Sequence, residues 1–397
     1  MAEDGRIDIL GLTRLAFEAE AELGPGRSRA LGALYKAAQL EGRFEPGAIG
    51  ISREAAASLE GRFRLGLLEP VRVVEEEGPL GVTAKALLRL ADGECIECVR
   101  IPAGRAPRAG GAAIEAAADR KNIAAAAGVA GAAGAAGAAT GQPGGLEGPA
   151  TLCISSQVGC RMGCAFCETG RGGLVRNLSA AEIVAELVTV RVLLGWRISN
   201  IVFMGMGEPL DNFEAVSGAL AAFLDRSGHG FSQESITLCT VGLAEGIGRL
   251  RGLGLKRLNL SVSLNAPDDA SRSALMPVDR SVPLDALAAA LAAYPQRKNF
   301  ALGVNYCLIP GLNDGPGAAE GVAAFLGKAA QPGRALVNLI PYNPGSAPIG
   351  RAPTEAEIGA FEARLAALGV QVKLRTPRGR GLMAACGQLG SAAKRGN

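Results

Sequence analysis

Apolar side chains recur along this chain in three regimes. Between residues 8 and 70, Leu10, Leu12, Leu15, Phe17 and Leu23, then Leu31, Leu34 and Leu40, return at mostly helix-like intervals between Gly/Pro breaks. That spacing predicts a small helical domain. From Val71 the period shortens, and in VTAKALLRLADGECIECVRIP (82–102) two strand-like runs flank Asp92–Gly93, a hairpin signal. From Thr151 onward strand-like and helix-like segments alternate. Apolar runs appear at NIVFMGMGE (200–208), SITLCTVG (235–242), RLNLSVSLNA (257–266), NFALGVNYCLIPG (299–311), ALVNLIPYNP (335–344) and VQVKLRTP (370–377). Ser179 with Glu182 and Thr354 with Glu357 have capping-box spacing, so a helix is expected after each serine or threonine. Repetition of this βα kind predicts an α/β fold, an open or closed barrel whose strand ends meet ligands on one face.

The segment 103–149 breaks this pattern. It is dominated by Gly and Ala, with almost no large apolar side chain. Such a composition cannot offset its ordering entropy and predicts a flexible insertion, with short helical stretches around 112–127. The expected organisation is an N-terminal helical domain (1–72), a β-hairpin linker (73–102), the insertion (103–149), an α/β core (150–378) and a C-terminal tail (379–397).

Charge adds little. With 41 basic and 38 acidic side chains the net charge is +3, which neither demands nor excludes nucleic acid. Basic residues collect at KLRTPRGR (373–380) and at Lys256 and Arg257. The opening MAEDGRIDILG carries acids where a signal peptide has its basic region, and no apolar run reaches transmembrane length. The expectation is a cytoplasmic protein without a membrane span.

The chain has one histidine, His229, and nine cysteines. The first number argues against zinc hydrolysis and against histidine acid–base catalysis. Three of the cysteines, Cys160, Cys164 and Cys167, form C-x3-C-x2-C. Three thiolates so spaced hold three irons of a cubane and leave the fourth open to a substrate. A zinc site completed by Cys153, and plain buried cysteines, are the alternatives. On the residues alone, Cys153 and Cys386 read equally as small buried hydrophobes or as an exchanging pair.

Several segments together, TLCISSQVGCRMGCAFC, VFMGMGEPLDN, SLNAPDDASRSALMPVDR, NLIPYNP and ACGQL, make the chain resemble the radical S-adenosylmethionine enzymes. Within them it is similar to the RlmN family, the adenine C2 methyltransferases of 23S ribosomal RNA and transfer RNA. The match runs from LGLTRLAFEAEAELG to Gln388, broken mainly by the Gly/Ala insertion. The resemblance implies a partial (β/α) barrel with a small N-terminal helical domain. It implies a [4Fe-4S] cluster on Cys160, Cys164 and Cys167, and two S-adenosylmethionine molecules per turnover. One methylates Cys386; the other supplies a radical that takes hydrogen from the new S-methyl group. The carbon then adds to the adenine ring, Cys153 attacks Cys386 to release the product, and a reductant reopens the disulfide. An adenine carbon is no ordinary nucleophile, which is why radical chemistry suits this substrate.

By the same resemblance, Glu97 takes the ring proton, and Gly207, Glu208, Cys239, Ser263, Leu264, Asn265 and Asn343 surround S-adenosylmethionine. Asn265 stands where the family usually has histidine, and Cys239 where it has serine. Apart from the resemblance, Glu97 reads as a solvated strand residue, and Cys95, Cys98 and Cys307 read as packing. The implied partners are ribosomal RNA, transfer RNA, an electron donor and a disulfide reductant, with the protein a monomer. Three other readings remain open: methylation at C8 of the same adenosine, a radical enzyme of another substrate class, and an RNA-binding protein with a structural cluster.

Overall fold

The structure is a computed structural model that describes residues 5–23, 26–103, 146, 148–295, 302–375 and 387–390. Most of the Gly/Ala segment, residues 376–380 of the basic run and Cys386 lie outside the described residues.

Three helices, α1 (Arg14–Ala21), α2 (Ser28–Glu41) and α3 (Arg53–Arg62), form the N-terminal unit with two short paired strands, β1 (Ile7–Asp8) and β2 (Phe63–Arg64). Thr13 and Ser52 cap α1 and α3 with their side-chain oxygens. Ile9, Phe17, Leu31, Leu34, Tyr35 and Phe63 give this unit its own core. Leu15, placed on the apolar face by its spacing, points the other way and is 78% exposed.

Ten strands make one open sheet. Three of them, β3 (Glu69–Gly78), β4 (Gly81–Arg89) and β5 (Cys95–Pro102), run antiparallel, with the expected turn at Asp92–Gly93 between the last two. Strand β5 then pairs antiparallel with β6 (Ala150–Cys153), so the hairpin continues the core sheet. Two strands outside it, β7 (Gln157–Cys160) and β8 (Gly173–Asn177), form a small ribbon of their own. From β6 the main sheet is parallel, through β9 (Ile198–Phe203), β10 (Ile236–Thr240), β11 (Asn259–Ser263), β12 (Leu302–Leu308), β13 (Ala335–Pro341) and β14 (Val372–Leu374), each beside its predecessor. The edges β3 and β14 do not meet, which leaves a partial barrel.

The short helix α4 (Glu168–Arg171) follows the three cysteines. The helices α5 (Ala180–Val192), α6 (Phe213–Leu224), α7 (Ala244–Gly252), α8 (Asp269–Leu275), α9 (Leu284–Ala292), α10 (Ala318–Ala329) and α11 (Glu355–Ala367) complete the alternation. Both capping boxes form as spaced: Ser179 with Glu182 starts α5, and Thr354 with Glu357 starts α11. Helix α5 is buried along most of its length and fills the core behind the sheet, with Ile183, Val184, Leu187 and Val188 in it. No helix among the described residues is long and apolar enough to cross a membrane.

Candidate active site

The parallel strands end on one side, and a cavity opens there. It encloses about 990 Å³, the open solvent at its mouth included. Each strand from β9 to β13 contributes its C-terminal residues: Phe203 with the loop Met204–Glu208, Cys239 to Val241, Ser263 and Asn265, Asn305 and Cys307, and Ile340 with Tyr342. The loop after β7 brings Cys160, Cys164 and Cys167, and the C-terminal segment brings Gly387.

The three cysteines are placed by turns that need glycine. Gly163, between the first two, has φ 65°, and a Cβ on Gly170 would stand 3.0 Å from Cys164 N. Burial raises the pKa of all three thiols, that of Cys160 to about 12, and a bound cation would favour their thiolate forms. Among the described residues no three His, Cys, Asp or Glu side chains gather around one ion. Three cysteines lining one cavity fit a cubane, in which each thiolate would take a separate iron. Cys153 is absent from the cavity wall: it closes β6, opposite Val99 and Val202, and is buried.

Glu208 is the buried acid of the site. Its Oε1 accepts from Leu210 N at 3.0 Å and the Thr240 hydroxyl at 2.7 Å, and its Oε2 accepts from Val241 N at 2.8 Å. A carboxylate has about four lone-pair directions, so one remains, on Oε2. Burial raises its pKa to about 7 against these three donors. Its own N–H donates to Gln157 Oε1 at 2.8 Å. Gly207, just before it, has φ 98°, and a Cβ there would lie 2.6 Å from Gln157 Cβ, so the loop admits no side chain.

Asn265 also has a positive φ, 57°, a region in which asparagine and histidine are both enriched among non-glycine residues. Its Oδ1 accepts from Cys307 N at 2.8 Å, which ties the ends of β11 and β12 together. Cys239 sits 3.8 Å from Ser263 Oγ and accepts from Asn305 Nδ2 at 3.0 Å. Of the residues expected around S-adenosylmethionine, Gly207, Glu208, Cys239, Ser263 and Asn265 line the cavity. Leu264 and Asn343 do not. The Leu264 side chain is in the core and its N–H and C=O are engaged by Asn305 O and Arg272 Nε; Asn343 is buried beside Tyr342.

Thr240, Gln157 and Cys307 were not singled out as site residues by the sequence. Cys307 reads there as packing but lines the cavity. The short polar-after-apolar pattern at the strand ends is the signal that marks Thr240. Glu97 corrects the plain reading of a solvated strand acid: it is fully buried, with Oε1 3.0 Å from Lys85 Nζ and Oε2 accepting from Gly390 N at 2.6 Å.

A family model, the radical SAM superfamily, matches residues 154–318, which span the cysteine loop and strands β9 to β12. A relative from Acidothermus cellulolyticus, named "Probable dual-specificity RNA methyltransferase RlmN", is 41% identical over 344 residues, 83% of this chain and 73% of that protein. The chain belongs to the RlmN family. A further RlmN, the dual-specificity RNA methyltransferase of Syntrophobacter fumaroxidans, is 44% identical over 243 residues, 60% of this chain and 69% of that one. The crystal structure of a radical SAM methyltransferase from Sphaerobacter thermophilus superposes with a TM-score of 0.76 at 31% identity, covering 97% of this chain and 99% of that chain. The fold is thus shared with a solved radical SAM methyltransferase over nearly the whole chain, and the RlmN family is one of S-adenosylmethionine-dependent RNA methyltransferases with an iron–sulfur cluster.

Proposed function

We propose that this RlmN-family chain methylates C2 of an adenosine in the peptidyl-transferase region of 23S ribosomal RNA, and the adenosine 3′ of the anticodon in transfer RNA. One observation carries the reading. A single cavity is lined by the three clustered cysteines, by a buried glutamate with one free lone-pair direction, and by Gly387, the residue after Cys386.

Cys160, Cys164 and Cys167 would hold the [4Fe-4S] cluster, which when bound supplies the electron that cleaves S-adenosylmethionine. Glu208 would receive the ligand's ammonium on Oε2, and Gly207 would let the backbone come close. Ser263 and Cys239 would close the far wall. Cys386 takes a methyl group as a thioether and passes its carbon to the ring. Cys153 then attacks the Cys386 sulfur, so that an S–S bond forms as the bond to the product breaks. Glu97 accepts the ring proton. Two S-adenosylmethionine molecules are consumed, and an external electron donor and a thiol reductant restore the enzyme, which acts as a cytoplasmic monomer. RNA needs a basic surface, and a second concavity supplies one: Arg14, Arg29, Lys36 and Arg226 line it where α1 and α2 meet the loop after α6.

The test is anaerobic incubation of the reconstituted, reduced protein with methyl-deuterated S-adenosylmethionine and deproteinised large-subunit RNA or transfer RNA. Mass spectrometry of the released nucleosides reads the product. Labelled 2-methyladenosine is expected. A label on 8-methyladenosine would move the assignment to the other ring carbon, and 5′-deoxyadenosine with no labelled nucleoside would remove RNA as the substrate.

A further inference from the structure

Lys85 is a cation inside the sheet. It lies on β4 opposite Val99, with 7% of its surface exposed, and its Nζ is 3.0 Å from Glu97 Oε1 on the neighbouring strand. A buried ammonium is costly without a counter-charge, and Glu97 provides one in direct contact. The second oxygen of Glu97 accepts the N–H of Gly390 at 2.6 Å, across 293 residues of sequence. One carboxylate therefore joins a buried cation to the backbone of the C-terminal segment.

Four hydrogen bonds between described residues hold that segment. Glu168 N donates to Gly387 O at 2.8 Å, Gln388 Nε2 to Pro344 O at 3.1 Å, and the Thr169 hydroxyl to Leu389 O at 2.7 Å. The fourth is the bond from Gly390 to Glu97. The first three involve neutral groups on both sides; the fourth ends on a charge and is the stronger kind. Leu389, between the last two points, is buried in the core. Gly387, at the other end, faces the cavity.

We propose that Lys85 is a positioning residue: it fixes the Glu97 carboxylate so that its second oxygen clamps Gly390, which holds the segment following Cys386 at the cavity wall. The clamp stands on the geometry, whereas its value to catalysis rests on the roles proposed for Glu97 and Cys386. A free carboxylate can rotate its oxygens among several partners. With Oε1 drawn to the Lys85 charge and Oε2 accepting from Gly390, the two oxygens are no longer interchangeable.

Amide hydrogen exchange in the full-length chain reads this without any turnover. The peptide spanning 387–390 should exchange roughly ten- to hundredfold faster in K85M and in E97Q, as expected for losing a charge-assisted bond. K85R, which keeps the cation, should stay nearer the wild type. The double variant K85M/E97Q should loosen the segment no more than the larger single change, because both act on one contact. With RNA and S-adenosylmethionine, K85M should lower kcat and leave KM for RNA within about twofold, since the cation touches neither ligand. Strands β3 to β5 report on folding in the same spectra. If they keep their protection while 387–390 exchanges at the wild-type rate in K85M and E97Q, the clamp does not exist. Should K85M unfold the hairpin, E97Q alone decides, because it removes the charge at constant shape. A wild-type protein that makes no methyladenosine but shows these exchange changes would sink the proposed function and leave the clamp standing.

Discussion

The hydroxyl of Thr240, at the end of β10, donates to Glu208 Oε1 at 2.7 Å, and both residues are buried in the cavity wall. Two residues 32 positions apart thus orient one carboxylate, and the Val241 N–H completes the grip on its other oxygen. Replacing Thr240 with valine keeps the volume and removes the donor. We expect S-adenosylmethionine affinity to fall roughly ten- to hundredfold, the usual value of a bond to a buried charge. Calorimetric titration of T240V against the wild type measures it. Unchanged affinity would mean that Glu208 does not face the ligand.

Glu208 also sets a pH dependence. Burial, the largest influence on it, raises its pKa from 4.5 to about 7 in the ligand-free protein. The folded value lies above the unfolded one, so its contribution to stability is full below pH 4.5. That contribution is lost as pH rises from there through about 7, while the unfolded chain ionises first. Ligand binding runs the other way, because only the ionised form attracts an ammonium group by charge. Affinity for S-adenosylmethionine should therefore climb between pH 6 and 8 and then level, and the climb should vanish in E208Q. A titration series in which both proteins are flat across this range would contradict the assignment.

The local parts of this fold were legible in the sequence because their causes are local. The capping boxes at Ser179 and Thr354, the turn at Asp92–Gly93 and the cysteine loop each depend on a few adjacent residues, and each forms where its spacing places it or, for the cysteines, lines the expected cavity. Glu97 was misread as surface on its own merits because its burial depends on Lys85 of a neighbouring strand and on Gly390 at the far end of the chain. Leu15 fits a helical period but sits on the outer face, since an eight-residue helix buries only a narrow stripe. Leu264 and Asn343 flank the cavity-lining residues Ser263, Asn265 and Tyr342 without lining the cavity themselves, because successive side chains near a strand end point to opposite sides.

Arg272 and Asp279 explain the motif ASRSALMPVDR in energetic terms. Both side chains are buried, with Nη1 to Oδ1 at 2.7 Å, and the guanidinium also donates to Val241 O at 2.6 Å and Leu264 O at 3.2 Å. The pair thereby fastens the loops that follow Thr240 and Ser263 at the ends of β10 and β11, the second of which carries Asn265. Asp279→Ala leaves the guanidinium buried without its counter-ion, and should cost about 3–5 kcal/mol of stability. Denaturant unfolding of D279A would show this as a lower midpoint at unchanged slope. A loss below about 1 kcal/mol, the range of an exposed pair, would mean that the site is open to water.

The groove on the N-terminal unit tests the RNA side. Among the described residues Arg29, Lys36 and Arg226 line it without forming ion pairs, whereas Arg257, one of the basic residues prominent in the sequence, is engaged with Glu234. Unpaired cations converging on a concavity attract a polyanion, and each phosphate they neutralise adds roughly 0.7–0.9 to the slope of log affinity against log salt. The double reversal K36E/R226E should weaken binding of transfer RNA or an rRNA fragment by at least about tenfold at moderate salt and flatten that slope by about 1.5. Its affinity for S-adenosylmethionine should be unchanged, because neither residue lines the strand-end cavity. Filter binding across a salt series separates the outcomes. A parallel slope with weaker binding would point to a distorted fold, and identical curves would place the RNA on another face.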